Sequence, residues 1–284
     1  MKPERIIIVG TGRLPCACLE ACLAGLVPVA GVVESGDHAF SPLAALCQRR
    51  KVKYTLMLDR EQLSQLFLSI NQPTLVVSAY NYFIFPQRVL DNRTLNVVNF
   101  HNSLIPRHRG RNAPTWSIYE MDAITGITWH QVHPVVDMGD VITQRKIEIG
   151  RDTTALDLTL ETLTVAAQAF QEILPSLLDG SYARTPVKKN GEESYHRSTD
   201  VPNGGVLDLG WSLDRAHAFL RALDYGKFAV FAPPKAHFLG MDLAITNYRI
   251  QRNSPNGSGK PSLTFRDNQL VLRSEDVELS ITCG

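Results

Sequence analysis

The chain has no surplus of either charge. Across its 284 residues, 29 Lys and Arg stand against 28 Asp and Glu, a formal net charge of +1. That balance removes any electrostatic case for nucleic acid or a membrane surface as partner. Cysteine is sparse: Cys16, Cys18 and Cys22 crowd into PCACLEAC, and Cys47 and Cys283 stand apart. An odd, clustered set argues against a disulfide framework. Without Cys-x-x-Cys pairs or interleaved histidines there is no metal pattern either. These thiols read as small apolar residues on a packed helix in a reducing cytoplasm. No apolar run approaches the roughly 18–20 residues of a membrane span. No signal-peptide pattern is visible, since MKPER runs straight into RIIIVG. Internal repeats and low-complexity segments are lacking too.

What is present is an alternation of strand and helix. RIIIVG, VPVAGVVE, TLVVSAY and LNVVNF are continuous apolar runs, the pattern of strands covered on both faces. Helical segments fall between them, with Ser41 placed to cap SPLAALCQRRK. Strands alternating with helices predict βαβ units and a Rossmann-like parallel sheet, hence an α/β class. The first turn, GTGRLP, lacks the third glycine of a dinucleotide fingerprint: Pro15 stands there. A tight strand-to-helix turn explains Gly10 and Gly12, although Glu34 lies near the usual ribose-binding position.

Further on, RNAPTWSIYEM predicts a helix, GITWHQVHP and DVITQRKIEI predict strands, and VVDMGD lies between those two. A long helix follows, with Leu156, Leu160, Leu163, Ala167, Phe170 and Leu174 as its apolar stripe, a kink near Pro175 and a stop at Gly180. Residues 181–206 are polar and turn-rich and predict a linker. Beyond it, SLDRAHAFLRAL predicts a helix capped by Ser212, and several short strands predict a small, mostly β barrel or sandwich. The expected organisation is a catalytic domain over 1–180, a linker over 181–206 and an accessory domain over 207–284.

The chemistry concentrates in NVVNFHNSLIPRHRGRNAPTW. Asn99 and His101 are two apart in an extended segment and share a face. They stand at the C-terminal end of a strand, where parallel sheets open a crevice for ligands. A carboxylate is available downstream at Asp137. Asparagine supplies a neutral donor for an oxyanion, histidine donates or shuttles a proton, and aspartate orients the imidazole or takes a proton from an amine. Together they suit attack of an amine on an acyl or formyl carbon through a tetrahedral intermediate. Ser103 stays open as a nucleophile, though no Gly-x-Ser-x-Gly elbow is present. Ser103 also reads as a turn cap, His108 and Arg109 as surface residues, and His130 and His133 as residues lining a strand.

The block from Asn99 to Ile142 resembles the formyltransferase family that uses 10-formyltetrahydrofolate. The resemblance rests on Asn99 and His101, Ser103-Leu104-Ile105-Pro106, Arg109-Gly110, Gly126-Ile127-Thr128 and Asp137-Met138-Gly139, with 36 residues from His101 to Asp137. It implies that Asn99 and His101 bind the formyl oxygen, and that Asp137, rather than the second acid Asp140, tunes His101 and assists proton removal. It also implies that 10-formyltetrahydrofolate is the donor. Its pterin would sit against the loop AYNYFIFP, through Tyr82, Phe83, Ile84 and Phe85, and against Val135, Val136 and Asp140. That loop is one residue longer than its counterpart in the family. Acceptor contacts would come from Ser103, Asn112 and Trp116, the last two also reading as a helix cap and a core residue.

The acceptor is less legible. Residues 201–284 hold nine Lys and Arg against eight Asp and Glu, too neutral to favour tRNA. The local stretches resemble formyltransferases of specialised metabolism. The expected acceptor is therefore a small amino metabolite, an amino acid or a carrier-tethered aminoacyl group, with a nucleotide-linked amino sugar as the alternative. Methionyl-tRNA formyl transfer ranks below both. A formyltetrahydrofolate hydrolase stays open as a second class, distinguished in its family by an N-terminal regulatory domain, and a folate-binding protein without catalysis as a third.

Overall fold

The first apolar run forms β1 (Arg5–Gly10), and every side chain from Ile6 to Val9 is buried, as a strand covered on both faces requires. This is a computed structural model that describes residues 1–35, 41–188, 191–252, 262–274 and 277–284. Strands β2 (Val29–Glu34), β3 (Tyr54–Leu56), β4 (Thr74–Ala79) and β5 (Leu95–His101) join β1 in parallel, in the order β3-β2-β1-β4-β5. Helices α1 (Arg13–Leu23), α2 (Pro42–Arg50), α3 (Arg60–Leu68) and α4 (Gln87–Leu90) make the crossovers. Ser41 caps α2 by accepting the Ala44 N–H (3.0 Å), and Asp59 caps α3 by accepting that of Gln62 (2.8 Å).

Glu34, at the end of β2, accepts hydrogen bonds from Thr11 Oγ1 (3.0 Å), Tyr54 OH (2.7 Å) and Ser41 Oγ. It ties three elements together. The five thiols are free, four of them buried. Burial pushes the Cys16 thiol up to about 11 and that of Cys22 up to about 12, so neither is a ready nucleophile.

After the two-residue β6 (Arg109–Gly110) and helix α5 (Ala113–Tyr119), the sheet gains β7 (Ile124–Gln131) and β8 (Val141–Glu148). Strand β7 runs antiparallel to β5, with Asn99 opposite His130 and His101 opposite Thr128. That register determines the site. Helix α6 (Ala155–Asp179) continues through Pro175 to Gly180, whose positive φ of 80° suits a helix stop. Its buried face is not quite the expected stripe. Phe170 and Leu174 are buried, but Leu160 is exposed, and Leu158, Thr162, Ala166 and Ala169 take the inner positions. The small side chain of Ala166 lets Trp129 approach closely enough for its indole N–H to donate to the Ala166 carbonyl (3.0 Å).

The rest of the chain carries β9 (Tyr195–His196), a 3-10 turn at Pro202–Gly205, β10 (Val206–Leu207) and α7 (Leu213–Leu223), capped by Ser212. Then come β11 (Lys235–Phe238), β12 (Met241–Arg252), β13 (Ser262–Arg266), β14 (Gln269–Ser274) and β15 (Val277–Cys283). These form a six-stranded, mainly antiparallel sheet in the order β10-β11-β12-β15-β14-β13.

Packing gathers the chain into two compact units. One holds Met1–Gly110, Gly126–Ile147 and Leu160–Tyr195; the other holds Arg111–Thr125, Glu148–Thr159 and His196–Gly284. The first has a core of Val9, Phe67, Val76, Phe83, Phe85 and Val97. The second packs Phe219, Leu220, Leu270, Leu279 and Ile281 together, with Tyr119 and Trp211 against them. No helix among the described residues is long and apolar enough to cross a membrane.

Candidate active site

Strand β5 brings Asn99 and His101 to its C-terminal end, and the segment between β7 and β8 brings Asp137 to them. His101 and Asp137 are buried. Asp137 Oδ2 lies 3.4 Å from His101 Nδ1 and accepts the Gly110 N–H at 2.8 Å. Its other oxygen, Oδ1, lies 3.4 Å from Nε2 of His130, which is buried as well. Asp137 reaches this point through a left-handed backbone, φ 53°. Asn99 is oriented from three sides. Its Oδ1 accepts from Ser78 Oγ (2.7 Å), and its Nδ2 donates to the Phe100 carbonyl (3.0 Å) and to His130 Nε2 (3.2 Å).

Backbone carbonyls fix both imidazole tautomers. His101 Nε2 sits 2.8 Å from the His108 carbonyl and must donate to it, so Nδ1 is the nitrogen that faces Asp137. His130 Nδ1 sits 2.7 Å from the Gln131 carbonyl and donates there, leaving Nε2 as the acceptor for Asn99. Burial holds the His101 pKa below the ordinary histidine value, against the pull of Asp137 and the His108 carbonyl. For Asp137, burial pushes upward. The charges and hydrogen bonds of His101, His130 and the Gly110 N–H outweigh it and hold the carboxyl well below the usual range. A carboxylate and two ring nitrogens converge here, a set that can take up and share a proton.

The surrounding backbone is shaped for this. A Cβ on Gly139 would lie 1.7 Å from the Gln131 carbonyl oxygen, the acceptor of His130 Nδ1, so only glycine fits. Gly126 is equally confined, with a Cβ 2.1 Å from the Arg145 carbonyl oxygen. Ser103 Oγ donates to the Arg107 carbonyl (2.6 Å) and closes the loop that carries the cis Ile105–Pro106 peptide. The Ser103 carbonyl accepts from Thr128 Oγ1 (2.7 Å), which ties that loop to β7.

Residues 27–174, more than half of the chain, match the formyl transferase family. The chain belongs to that family. It is 25% identical over 228 residues to a GDP-perosamine N-formyltransferase of Brucella melitensis, covering 79% of this chain and 86% of that protein. A methionyl-tRNA formyltransferase of Acetivibrio thermocellus is 29% identical over 192 residues, 64% of this chain and 61% of that one. In fold, it is similar to an N-formyltransferase of Helicobacter canadensis solved with folinic acid and dTDP-3-aminofucose. There the TM-score is 0.78 at 15% identity, over 99% of this chain and 100% of that one.

Within this formyltransferase, some expected site residues lie elsewhere than at the cluster. Phe83 and Phe85 point into the core, with ring centroids 6.0 and 5.2 Å from Phe67, because the loop after β4 alternates. Tyr82 and Ile84, 41% and 58% exposed, are the side chains it presents outward, and Val135 is exposed beside Val136. Asp140 begins the approach to β8, and its carbonyl accepts the Gln131 N–H (2.9 Å). Asn112 and Trp116 belong to the second compact unit. Asn112 precedes α5 in a left-handed conformation without a side-chain cap, and Trp116 stacks on His196 at 4.0 Å.

Two surface assignments need correction. His108 is buried, with its N–H donated to Ser194 Oγ (2.8 Å), and its carbonyl anchors His101. Arg109 is half-buried and reaches the Val136 carbonyl (3.2 Å). The residue that sequence reasoning undervalued is His130. Its place opposite Asn99 comes from the pairing of β7 with β5, for which the local sequence holds no signal.

Proposed function

We propose that this formyltransferase moves a formyl group from 10-formyltetrahydrofolate to the amine of a nucleotide-linked amino sugar. The observation that carries the chemistry is the acceptor-rich convergence of Asp137, His101 and His130 beside the Asn99 amide. Attack by a neutral amine places a positive charge on the attacking nitrogen and a negative one on the formyl oxygen. Asp137, ionised and backed by the Gly110 N–H, takes the ammonium proton. His101 Nδ1, held in place by the His108 carbonyl, shares that proton and then offers it to the oxyanion or to the leaving nitrogen. Asn99 adds a neutral donor to the same oxygen. Such a donor is typically worth about 10²–10³-fold in rate.

The donor's flat pterin suits the outward side chains of Tyr82 and Ile84, on the loop that follows β4, and of Val135, two residues before Asp137. Asn81 connects that loop to the chemistry, since its amide donates to Ser78 Oγ (3.2 Å), which in turn donates to Asn99.

The acceptor assignment departs from the expectation of an amino acid or carrier-tethered group. Support for an amino sugar comes from the breadth of the similarity. The perosamine enzyme is covered to 86% of its length, against 61% of the methionyl-tRNA enzyme, and the fold separately matches the whole of the enzyme solved with dTDP-3-aminofucose. The near-neutral charge of residues 201–284 points the same way. The test is steady-state formyl transfer from 10-formyltetrahydrofolate to GDP- and dTDP-linked amino sugars, free amino acids, a carrier-bound aminoacyl group and methionyl-tRNA. A kcat/KM at least tenfold higher for one nucleotide sugar than for the other classes supports the reading. Preference for any other class refutes it.

A further inference from the structure

His130 is buried against the proposed catalytic groups, yet the chemistry above uses it only as a neighbour. Its geometry implies more. Asn99 has two amide hydrogens, and both are engaged: one by the Phe100 carbonyl at 3.0 Å and one by His130 Nε2 at 3.2 Å. The amide cannot turn over, because Ser78 Oγ donates to its oxygen at 2.7 Å and Asn81 holds Ser78. Held this way, Asn99 has no hydrogen to give an oxyanion. Of its two acceptors, only His130 Nε2 is a ring nitrogen that can itself bind a proton, which converts it from acceptor to donor. Asp137 Oδ1 stands 3.4 Å from that nitrogen, ready to accept from it.

We propose that His130 is a positioning residue that withholds the Asn99 donor in the resting enzyme and releases it when a proton arrives through Asp137; this rests on the formyl-transfer reading of the site. The proton balance closes. The ammonium proton leaves the attacking nitrogen for Asp137 and crosses to His130 Nε2, whose new N–H repels the Asn99 N–H and tilts that amide, without flipping it, onto the oxyanion while the tetrahedral intermediate carries its negative charge. As the bond from the formyl carbon to the donor nitrogen breaks, the proton returns through Asp137 to His101 Nδ1, which offers it to that nitrogen. His130 then takes back the Asn99 hydrogen. Oxyanion stabilisation is in this way coupled to deprotonation of the amine, so the hole is strongest once the charge it serves exists.

The ionisable groups facing His130 are Asp137 directly and His101 across Asp137, with the Arg109 guanidinium beyond them on the Val136 carbonyl. From the other side its Nδ1 is pinned by the Gln131 carbonyl at 2.7 Å, so the ring responds by protonation and not by rotation. Gly139 keeps that carbonyl in place.

A double-mutant cycle tests the coupling. His130→Gln presents an oxygen that accepts from Asn99 but takes up no proton. It should lower kcat about 10²-fold, the cost of one missing oxyanion donor, with acceptor KM within twofold. Asn99→Ala should cost about 10²–10³-fold in wild type but less than fivefold in the His130→Gln background, since the donor is already withheld there. Independent, multiplying effects would overturn the proposal while leaving formyl transfer and the role of Asn99 intact. Loss of nothing on Asn99→Ala in wild type would instead overturn the underlying reading. A measurement on the wild-type protein guards against a variant that fails to fold. In a nitrogen-15 NMR titration, the Asn99 side-chain amide should shift with the same midpoint as the His130 ring nitrogens; an Asn99 amide indifferent to His130 protonation contradicts the mechanism.

Discussion

Replacing Asp137 by asparagine separates its chemical role from its structural one. The substitution keeps the shape and removes the charge. The asparagine oxygen can still accept the Gly110 N–H, as Asp137 Oδ2 does at 2.8 Å. The new NH2 group would stand where Oδ1 stands, 3.4 Å from His130 Nε2, which is an acceptor in the tautomer fixed by the Gln131 carbonyl. Every polar group therefore keeps a partner, and the fold should survive. A loss of about 1 kcal/mol would move the melting temperature by only roughly 2–4 °C in a chain of this size. Activity should not survive. The base is gone, and the new amide competes with Asn99 for the same ring nitrogen. A positioned base contributes typically 10²–10⁴-fold, and a loss near 10³-fold corresponds to about 4 kcal/mol of barrier. The assay is steady-state formyl transfer with saturating 10-formyltetrahydrofolate, beside a melting curve. Asp140→Asn is the control and should stay within about fivefold of wild type, because no general-base contribution is removed. The reverse order, with Asp140→Asn the worse of the two, would refute the assignment.

His101→Ala should lose at least about 10²-fold in kcat with donor binding retained, measured by calorimetry with 5-formyltetrahydrofolate; near-wild-type turnover would exclude His101 from the chemistry. Gly139→Ala forces a Cβ to within 1.7 Å of the Gln131 oxygen, so the backbone must shift and the His130 anchor with it. The expected result is a large drop in kcat together with a destabilisation of about 1–3 kcal/mol, read by urea unfolding; an active, fully stable Gly139→Ala would contradict the geometry. Acid should destabilise the second unit through His217, whose pKa burial lowers to about 4. Its folded pKa lies below the unfolded value, so the unfolded chain binds the proton first and stability is lost as pH falls from about 6.5 towards 4. At about 1.36 kcal/mol per unit the full loss is on the order of 3 kcal/mol. Urea midpoints at pH 7 and pH 4.5 should converge in His217→Leu, and an unchanged slope would clear His217 of the effect.

Much of this was legible in the sequence, and the reasons differ by element. RIIIVG, TLVVSAY and LNVVNF declared themselves as strands because a sheet buried on both faces needs continuous apolar runs, and Ser41, Ser212 and Gly180 marked helix ends through capping chemistry. Asn99 and His101 were readable from the two-residue period, and Asp137 from its place in the family pattern. What depended on pairing was not readable. His130 gains its meaning from standing opposite Asn99 across an antiparallel register, and no local pattern specifies which strand β7 will join. His108 looked exposed beside Arg107 and Arg109, but the loop closed by Ser103 turns its carbonyl to His101 and buries its ring. On α6 the count of leucines suggested one stripe, whereas the small side chains of Ala166 and Ala169 decide which face can approach the sheet.

The reaction proposed for the Asn99, His101 and Asp137 cluster is formylation of an amino group on a nucleotide sugar. Its most direct test is mass-spectrometric detection of product from wild type and Asp137→Asn, each given 10-formyltetrahydrofolate and an equimolar mixture of GDP- and dTDP-linked amino sugars, amino acids and methionyl-tRNA. The expected result is a 28-dalton gain, the formyl group replacing a hydrogen, on one nucleotide sugar with wild type and at least about 10²-fold less with Asp137→Asn. Formylation of another acceptor class, or equal product from the two proteins, would contradict it.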